Sequence, residues 1–147
     1  MDRLRRIYQN IKEVKIQGAT NVAKAALTAY NLKPTNQTKK ELLSLRPTEP
    51  MLAYVLKKAD SLSSEEIITH FSQAQKKINQ NVLTLIRSGN TVYTHCHSTN
   101  VINALLYAKK QGRKFRVFNT ETRPLFQGRI TANELRKAKI PVTLFID

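Results

Sequence analysis

The chain has 147 residues, 41% hydrophobic and 24% charged side chains, and a formal charge of +15. That length holds one ordinary domain or two small ones, and the balance excludes wholesale disorder. No apolar run reaches membrane-helix length, no apolar signal core follows the basic N-terminus, and the lone Cys96 excludes a disulfide framework or a multi-cysteine zinc site.

These exclusions point to a reducing cytoplasm. The charge points to polyanionic partners: nucleic acid, anionic membrane or phosphorylated small molecules. Residues 1–90 hold fifteen basic and seven acidic side chains, and residues 91–147 hold ten and three. The excess is thus spread along the chain and is not a basic tail.

Residues 1–90 read as helical. Leu4, Ile7, Ile11 and Val14 make one apolar face. After Gly18 a second helix runs from Asn21 to Asn31, and Pro34 closes it. Thr38 to Glu41 has capping-box spacing and opens a short helix through Leu45. Arg46-Pro47-Thr48-Glu49-Pro50 must turn, and a helix follows from Met51 to Ala59. Ser63 to Glu66 is another capping box, opening the longest helix, with Ile67, Phe71, Ala74, Ile78, Val82 and Leu85 on one face and Gly89 as its C-cap.

The pattern then changes. Residues 91–95 read as a strand, Asn100–Lys110 as a helix, 115–119 as a strand, Thr131 to Lys139 as a helix opened by a capping box, and 141–146 as a third strand. This βαβαβ alternation predicts a parallel sheet and an α/β class, with a helical domain over 1–90 and the sheet over 91–147.

Open parallel sheets bind ligands at the C-terminal ends of their strands. Two polar clusters fall there: Thr94 to Asn100, and Thr120 to Pro124 with Gln127-Gly128-Arg129 beyond. A loop entering a helix presents free N–H groups that favour phosphate, and Ser98, Thr99, Arg123 and Arg129 add donors. Cys96 beside a helix N-terminus is a usable base or nucleophile, and a buried structural cysteine is the plainer alternative. Strand alternation places His95 and His97 on the face opposite Cys96, so neither a Cys-His pair nor a metal site is implied. In the helical half, Gly18 lets backbone approach an anion, and Arg46 in a proline-rigid turn can reach toward it.

Thr-His-Cys-His-Ser at 94–98, Glu-Thr-Arg-Pro at 121–124, Gln-Gly-Arg-Ile-Thr-Ala at 127–132 and Ile-Pro-Val-Thr at 140–143 resemble one superfamily. It contains the initiation factor 2B alpha, beta and delta subunits and sugar-phosphate isomerases. The resemblance is nearest to archaeal ribose 1,5-bisphosphate isomerases and their initiation-factor-2B-like neighbours. Ile-Gln-Gly-Ala at 16–19 is similar to that family's Arg-Gly-Ala phosphate turn, and Arg46-Pro47-Thr48 to its next basic loop. His97 and Ser98 favour the bisphosphate branch over the methylthioribose branch, which reads Thr-His-Cys-Asn.

The resemblance implies a helical domain followed by the first half of a Rossmann-like sheet. It implies an aldose–ketose isomerisation without a cofactor or metal. Cys96 would accept the proton, and Gly18, Ala19, Thr20, Arg46, Ser98, Thr99 and Asn100 would hold phosphates. Glu121, Arg123 and Gln127 would support them. Gln17 stands where the family has arginine, and Lys139 where it has a helix-capping glycine. The family's acid, in a Gly-Ala-Asp segment, and its Asn-Lys motif have no counterpart in these 147 residues. The chain is therefore expected to be C-terminally truncated and to turn over little substrate without the missing C-terminal half; the expected partners are a phosphorylated sugar and either further copies of the chain, as a homo-oligomer, or a complementing C-terminal chain. The alternative is a non-catalytic regulatory subunit that binds an initiation factor or RNA.

Overall fold

A computed structural model describes residues 2–147. They form seven helices, α1 (Arg3–Lys12), α2 (Ala19–Leu32), α3 (Asn36–Leu45), α4 (Pro50–Lys58), α5 (Ser64–Leu85), α6 (Thr99–Lys110) and α7 (Gln127–Lys137). Three strands, β1 (Thr91–Thr94), β2 (Arg116–Thr120) and β3 (Val142–Phe145), complete the α/β fold. None of the described helices is long and apolar enough to cross a membrane.

The chain divides into two compact units at Phe71 and Ser72, inside α5. The sequence changes character later, at residue 90, because α5 continues into the second unit before the first strand begins.

The first unit is a helix cluster. Ile11, Val22, Ala26, Leu27, Leu42 and Leu52 are buried together in its core. Thr35, rather than Thr38, caps α3: its hydroxyl accepts from the Thr38 N–H at 3.1 Å. Ser63 and Glu66 form the reciprocal capping box expected of them, with the Glu66 N–H donating to Ser63 Oγ and the Ser63 N–H to Glu66. Half-buried Lys39 pairs with exposed Asp60 and lies 4.9 Å from the Tyr30 ring centroid.

The second unit is a three-stranded parallel sheet in the order β1-β2-β3. Val92 pairs with Val117, and Val117 with Val142. Ile102, Leu105, Val117, Leu135 and Ile140 bury against one another around it. Among the described residues β1 and β3 each have one strand neighbour. Ile78, Val82, Leu85, Val92 and Val101 line a groove of about 420 Å³ beside β1.

α5 stops at Leu85, short of Gly89. The Gly89 N–H donates to the Lys114 carbonyl at 2.7 Å, which leads the chain into β1 and not out of a helix cap. Left-handed residues close α1, at Val14 with φ +56, and α6 and α7. In α6, Gly112 has φ +82, its N–H donates to Lys109 and the Arg113 N–H to Ala108. In α7, Lys139 takes the same place with φ +57, its N–H donating to Arg136 and the Ile140 N–H to Leu135. This is the Schellman pattern, closed by the apolar contact of buried Ile140 and Leu135. A lysine there bears the Cβ penalty of the left-handed region. Lys139→Gly should stabilise the chain by about 1 kcal/mol, read from its urea unfolding midpoint. An unchanged or lowered midpoint would contradict this.

Candidate functional site at the strand ends

The parallel order brings the C-terminal ends of all three strands to one side of the second unit. β1 ends at Thr94 and is followed by His95 and Cys96. Cys96 has φ +64, so the extended backbone is broken two residues past the strand. The alternation that sets Cys96 opposite His95 and His97 therefore does not extend this far.

Both peptide groups of Cys96 are held from outside the segment. Its N–H donates to Thr122 Oγ1 at 3.0 Å, and its carbonyl accepts from Thr131 Oγ1 at 2.9 Å. Its thiol donates to Gln127 Oε1 at 3.5 Å. The histidines bond elsewhere: His95 Nδ1 lies 2.6 Å from Thr120 Oγ1, and His97 Nδ1 lies 3.1 Å from Thr131 Oγ1.

The N-terminus of α6 begins at Thr99, three residues after Cys96. Ser98 is its N-cap residue, but the Ser98 side chain makes no cap hydrogen bond. The hydroxyls of Ser98 and Thr99 and the first-turn N–H groups thus lie together at one helix end. The Asn100 carbonyl accepts from Gln75 Nε2 at 3.2 Å. α7 also begins without a side-chain cap, at Phe126, whose φ is +54. It starts at Gln127, four residues before the expected Thr131. Thr131 is a second-turn residue whose hydroxyl serves Cys96 and not a cap. Three non-glycine residues, Cys96, Thr122 and Phe126, occupy the left-handed region around this site. Such strain persists only where neighbouring contacts hold it.

Glu121 is the electrostatic centre of the second cluster. Its side chain is buried, and it receives Arg129 Nη2 at 2.8 Å and Arg123 Nε at 2.7 Å. Arg129 also covers the Phe126 ring, 4.0 Å from its centroid. The two guanidiniums that look like free phosphate donors in the sequence are thus drawn to one carboxylate. Arg123 engages it through Nε alone among the described bonds. Asp147 accepts from the Thr122 N–H at 3.0 Å and from the Arg123 N–H, and so pins the turn that carries both residues. The Arg123–Pro124 peptide is cis.

The Arg129 and Arg123 hydrogen bonds hold the Glu121 carboxyl below its ordinary 4.5. The Arg123 and Thr122 N–H groups do the same for Asp147, whose ordinary value is 3.8. With native values lowered, the unfolded chain binds more protons. The stabilisation is therefore complete above the ordinary carboxylate range and is lost as pH falls through the native values. Glu121→Gln should melt below the parent chain at pH 7, and the gap should narrow from about pH 4.5 downward. A gap constant to pH 3 would show that Glu121 does not act through its charge.

The remaining candidates lie in the first unit. Gly18 is the N-cap residue of α2 with φ +84, and no side chain caps that helix. Ala19 and Thr20 open its first turn. The Asn21 amide donates to the Gln17 carbonyl at 3.0 Å, while Gln17 Oε1 is buried without a partner among the described residues. Arg46 lies 3.8 Å from Glu49. Among the described residues no hydrogen bond or ion pair joins Arg46 to the Gly18 turn. No group of three His, Cys, Asp or Glu side chains converges as a metal site among them.

Asn119 and Asp147 at the strand ends and Thr131 on α7 are residues that sequence reasoning missed, and Thr122 lies in the second polar cluster without an assigned role. Asn119 is fully buried, and its Nδ2 donates to the Gly128 carbonyl at 2.7 Å.

The family model of the initiation factor 2 subunit family matches residues 7–147. The chain belongs to that family. Among curated family members it is 32% identical to the ribose 1,5-bisphosphate isomerase of Methanocaldococcus jannaschii, over 100% of this chain and 56% of that protein. It is 29% identical to a putative translation initiation factor eIF-2B subunit 2-like protein of Pyrococcus furiosus, over 97% of this chain and 58% of the relative. The chain thus spans about half the length of the curated relatives it matches. The fold is that of the Pyrococcus horikoshii translation initiation factor eIF-2B structure, with a TM-score of 0.80 and 20% identity over 99% of this chain and 60% of that one.

Proposed function

We propose that the chain carries the substrate-binding part of an aldose–ketose sugar-phosphate isomerase that converts ribose 1,5-bisphosphate to ribulose 1,5-bisphosphate. The observation that carries the reading is the placement of Cys96. Its thiol sits at the C-terminal end of a parallel strand, its backbone is clamped by Thr122 and Thr131, and an uncapped helix N-terminus follows. Such a site gives a thiolate a positive helix end and gives a phosphate a set of N–H donors.

In this reading Cys96 accepts the proton that the isomerisation moves, and a second group returns one. Gln127 holds the thiol by accepting its hydrogen bond. Ser98, Thr99 and Asn100 bind one phosphate at α6. Gly18, Ala19, Thr20 and Arg46 supply phosphate-binding groups from the helical unit. Glu121 steers Arg123. The acid comes from the part of the isomerase fold that these 147 residues do not span, and the site of action is the cytoplasm.

The test is complementation. The chain alone should give little or no ribulose 1,5-bisphosphate. Mixed with the C-terminal half of the Methanocaldococcus jannaschii isomerase, it should give turnover. A mixture that associates and still shows no turnover would overturn the reading.

The +15 charge favours a second reading, a non-catalytic subunit that binds an initiation factor or RNA. Salt-dependent capture of either partner, unaffected by Cys96→Ala, would support it.

A further inference from the structure

Thr131 is buried on the second turn of α7, with two polar neighbours and a single hydroxyl proton. One neighbour is the Cys96 carbonyl, at 2.9 Å, which can only accept. The proton is therefore committed to that bond. The other neighbour, His97 Nδ1 at 3.1 Å, must then be the donor. The chain of bonds runs from His97 Nδ1–H to Thr131 Oγ1–H to the Cys96 carbonyl. We propose that Thr131 is a positioning residue for Cys96, and that the same hydroxyl fixes His97 as the Nδ1–H tautomer with Nε2 as an acceptor.

Two observations meet here. Cys96 occupies φ +64, which an L-residue leaves unless it is held. Its N–H is held by Thr122 and its carbonyl by Thr131, so the hydroxyl of Thr131 is half of the clamp. The ring nitrogen that carries the proton in a neutral histidine follows from the bond the ring makes, and here that bond has one direction. The clamp and the tautomer are thus two results of one hydroxyl. The Nε2 lone pair of His97 suits a substrate hydroxyl. That role, and the value of holding Cys96 still, rest on the isomerase reading above.

The test reads the chain directly. Long-range 1H–15N spectra of the parent protein at pH 8 should show His97 protonated at Nδ1 and bare at Nε2. An Nε2–H tautomer, or a mixture of the two, would overturn the proposal. Thr131→Val keeps the shape and removes both bonds. In that variant His97 should lose its tautomer preference, and iodoacetamide should alkylate Cys96 about threefold faster or more, as the freed segment leaves Gln127. Thr131→Ser should restore both parental readouts. A folded Thr131→Val with parental tautomer and alkylation rate, or a folded Thr131→Ser that fails to restore them, would sink the idea. If Thr131→Val does not fold, the parent spectrum and the serine variant decide. Neither readout needs turnover, so failed complementation leaves this result standing, and a wrong tautomer leaves complementation untouched.

Discussion

Gly128→Ala should lower stability by about 3 kcal/mol or more, near the top of the range for overpacked positions. A Cβ at this position would stand 1.7 Å from the Thr120 carbonyl oxygen and 3.0 Å from Asn119 Nδ2. Both neighbours are fixed. The Thr120 carbonyl is strand backbone, and Asn119 is buried with its amide on the Gly128 carbonyl at 2.7 Å. The Gly128 N–H donates to the Glu121 carbonyl at 3.2 Å. The start of α7 is thus laid directly on the end of β2, and only a residue without a side chain permits the approach. An added methyl must push the helix away. Gln127 and Thr131 would move with it, so Cys96 would lose the acceptor of its thiol and the donor to its carbonyl. The check is the urea midpoint, together with the alkylation rate of Cys96. A loss under about 1 kcal/mol would mean that the two elements slide apart freely.

Cys96→Ser should reduce turnover of the complemented enzyme by about 10²–10⁴-fold, the usual worth of a positioned acid–base group. A hydroxyl has nearly the same shape and hydrogen-bonding reach, but it does not ionise near neutral pH. Cys96→Gly should be equally inactive and yet more stable than the parent by about 1 kcal/mol, because glycine adopts φ +64 without the Cβ penalty. The opposite signs separate chemistry from fold. A serine variant with more than roughly a tenth of parental turnover would remove Cys96 from the proton transfer. A glycine variant less stable than the parent would show that the side chain, and not the backbone, dominates the energetics there.

The helices and the parallel sheet were legible because they rest on periodicity. Ile67 and Val82 lie on the expected face of α5, and Val92, Val117 and Val142 pair across the strands. The Ser63–Glu66 box was legible because both halves of its bond pattern are written three residues apart. The Thr131–Glu134 segment has the same hydroxyl-to-glutamate spacing and a different role. Its hydroxyl finds Cys96, 35 positions away, and no local spacing reports that. The turn at Cys96 was hidden for a related reason. A left-handed residue usually announces itself as glycine or asparagine, and here a cysteine is held there by distant threonines. Arg123 and Arg129 read as free donors because Glu121 appears in the sequence as one more loop carboxylate. Its burial beneath both guanidiniums is a tertiary fact.

The two outer strands have a consequence for how the chain behaves in a crowded solution. Neither Thr91–Thr94 nor Val142–Phe145 contains a charged residue or a proline, the usual deterrents on an unpaired edge. Tyr93 on β1 is 66% exposed. The deterrent is collective: a charge of +15 distributed over the whole chain keeps copies apart before their edges meet. Its reach is the Debye length, which shrinks from about 10 Å at 0.1 M salt to about 3 Å at 1 M. Ionic strength thus acts as a colloidal brake on strand pairing between copies. Dilute buffer keeps it engaged, and concentrated salt, the habitual remedy for a basic protein that sticks to everything, releases it.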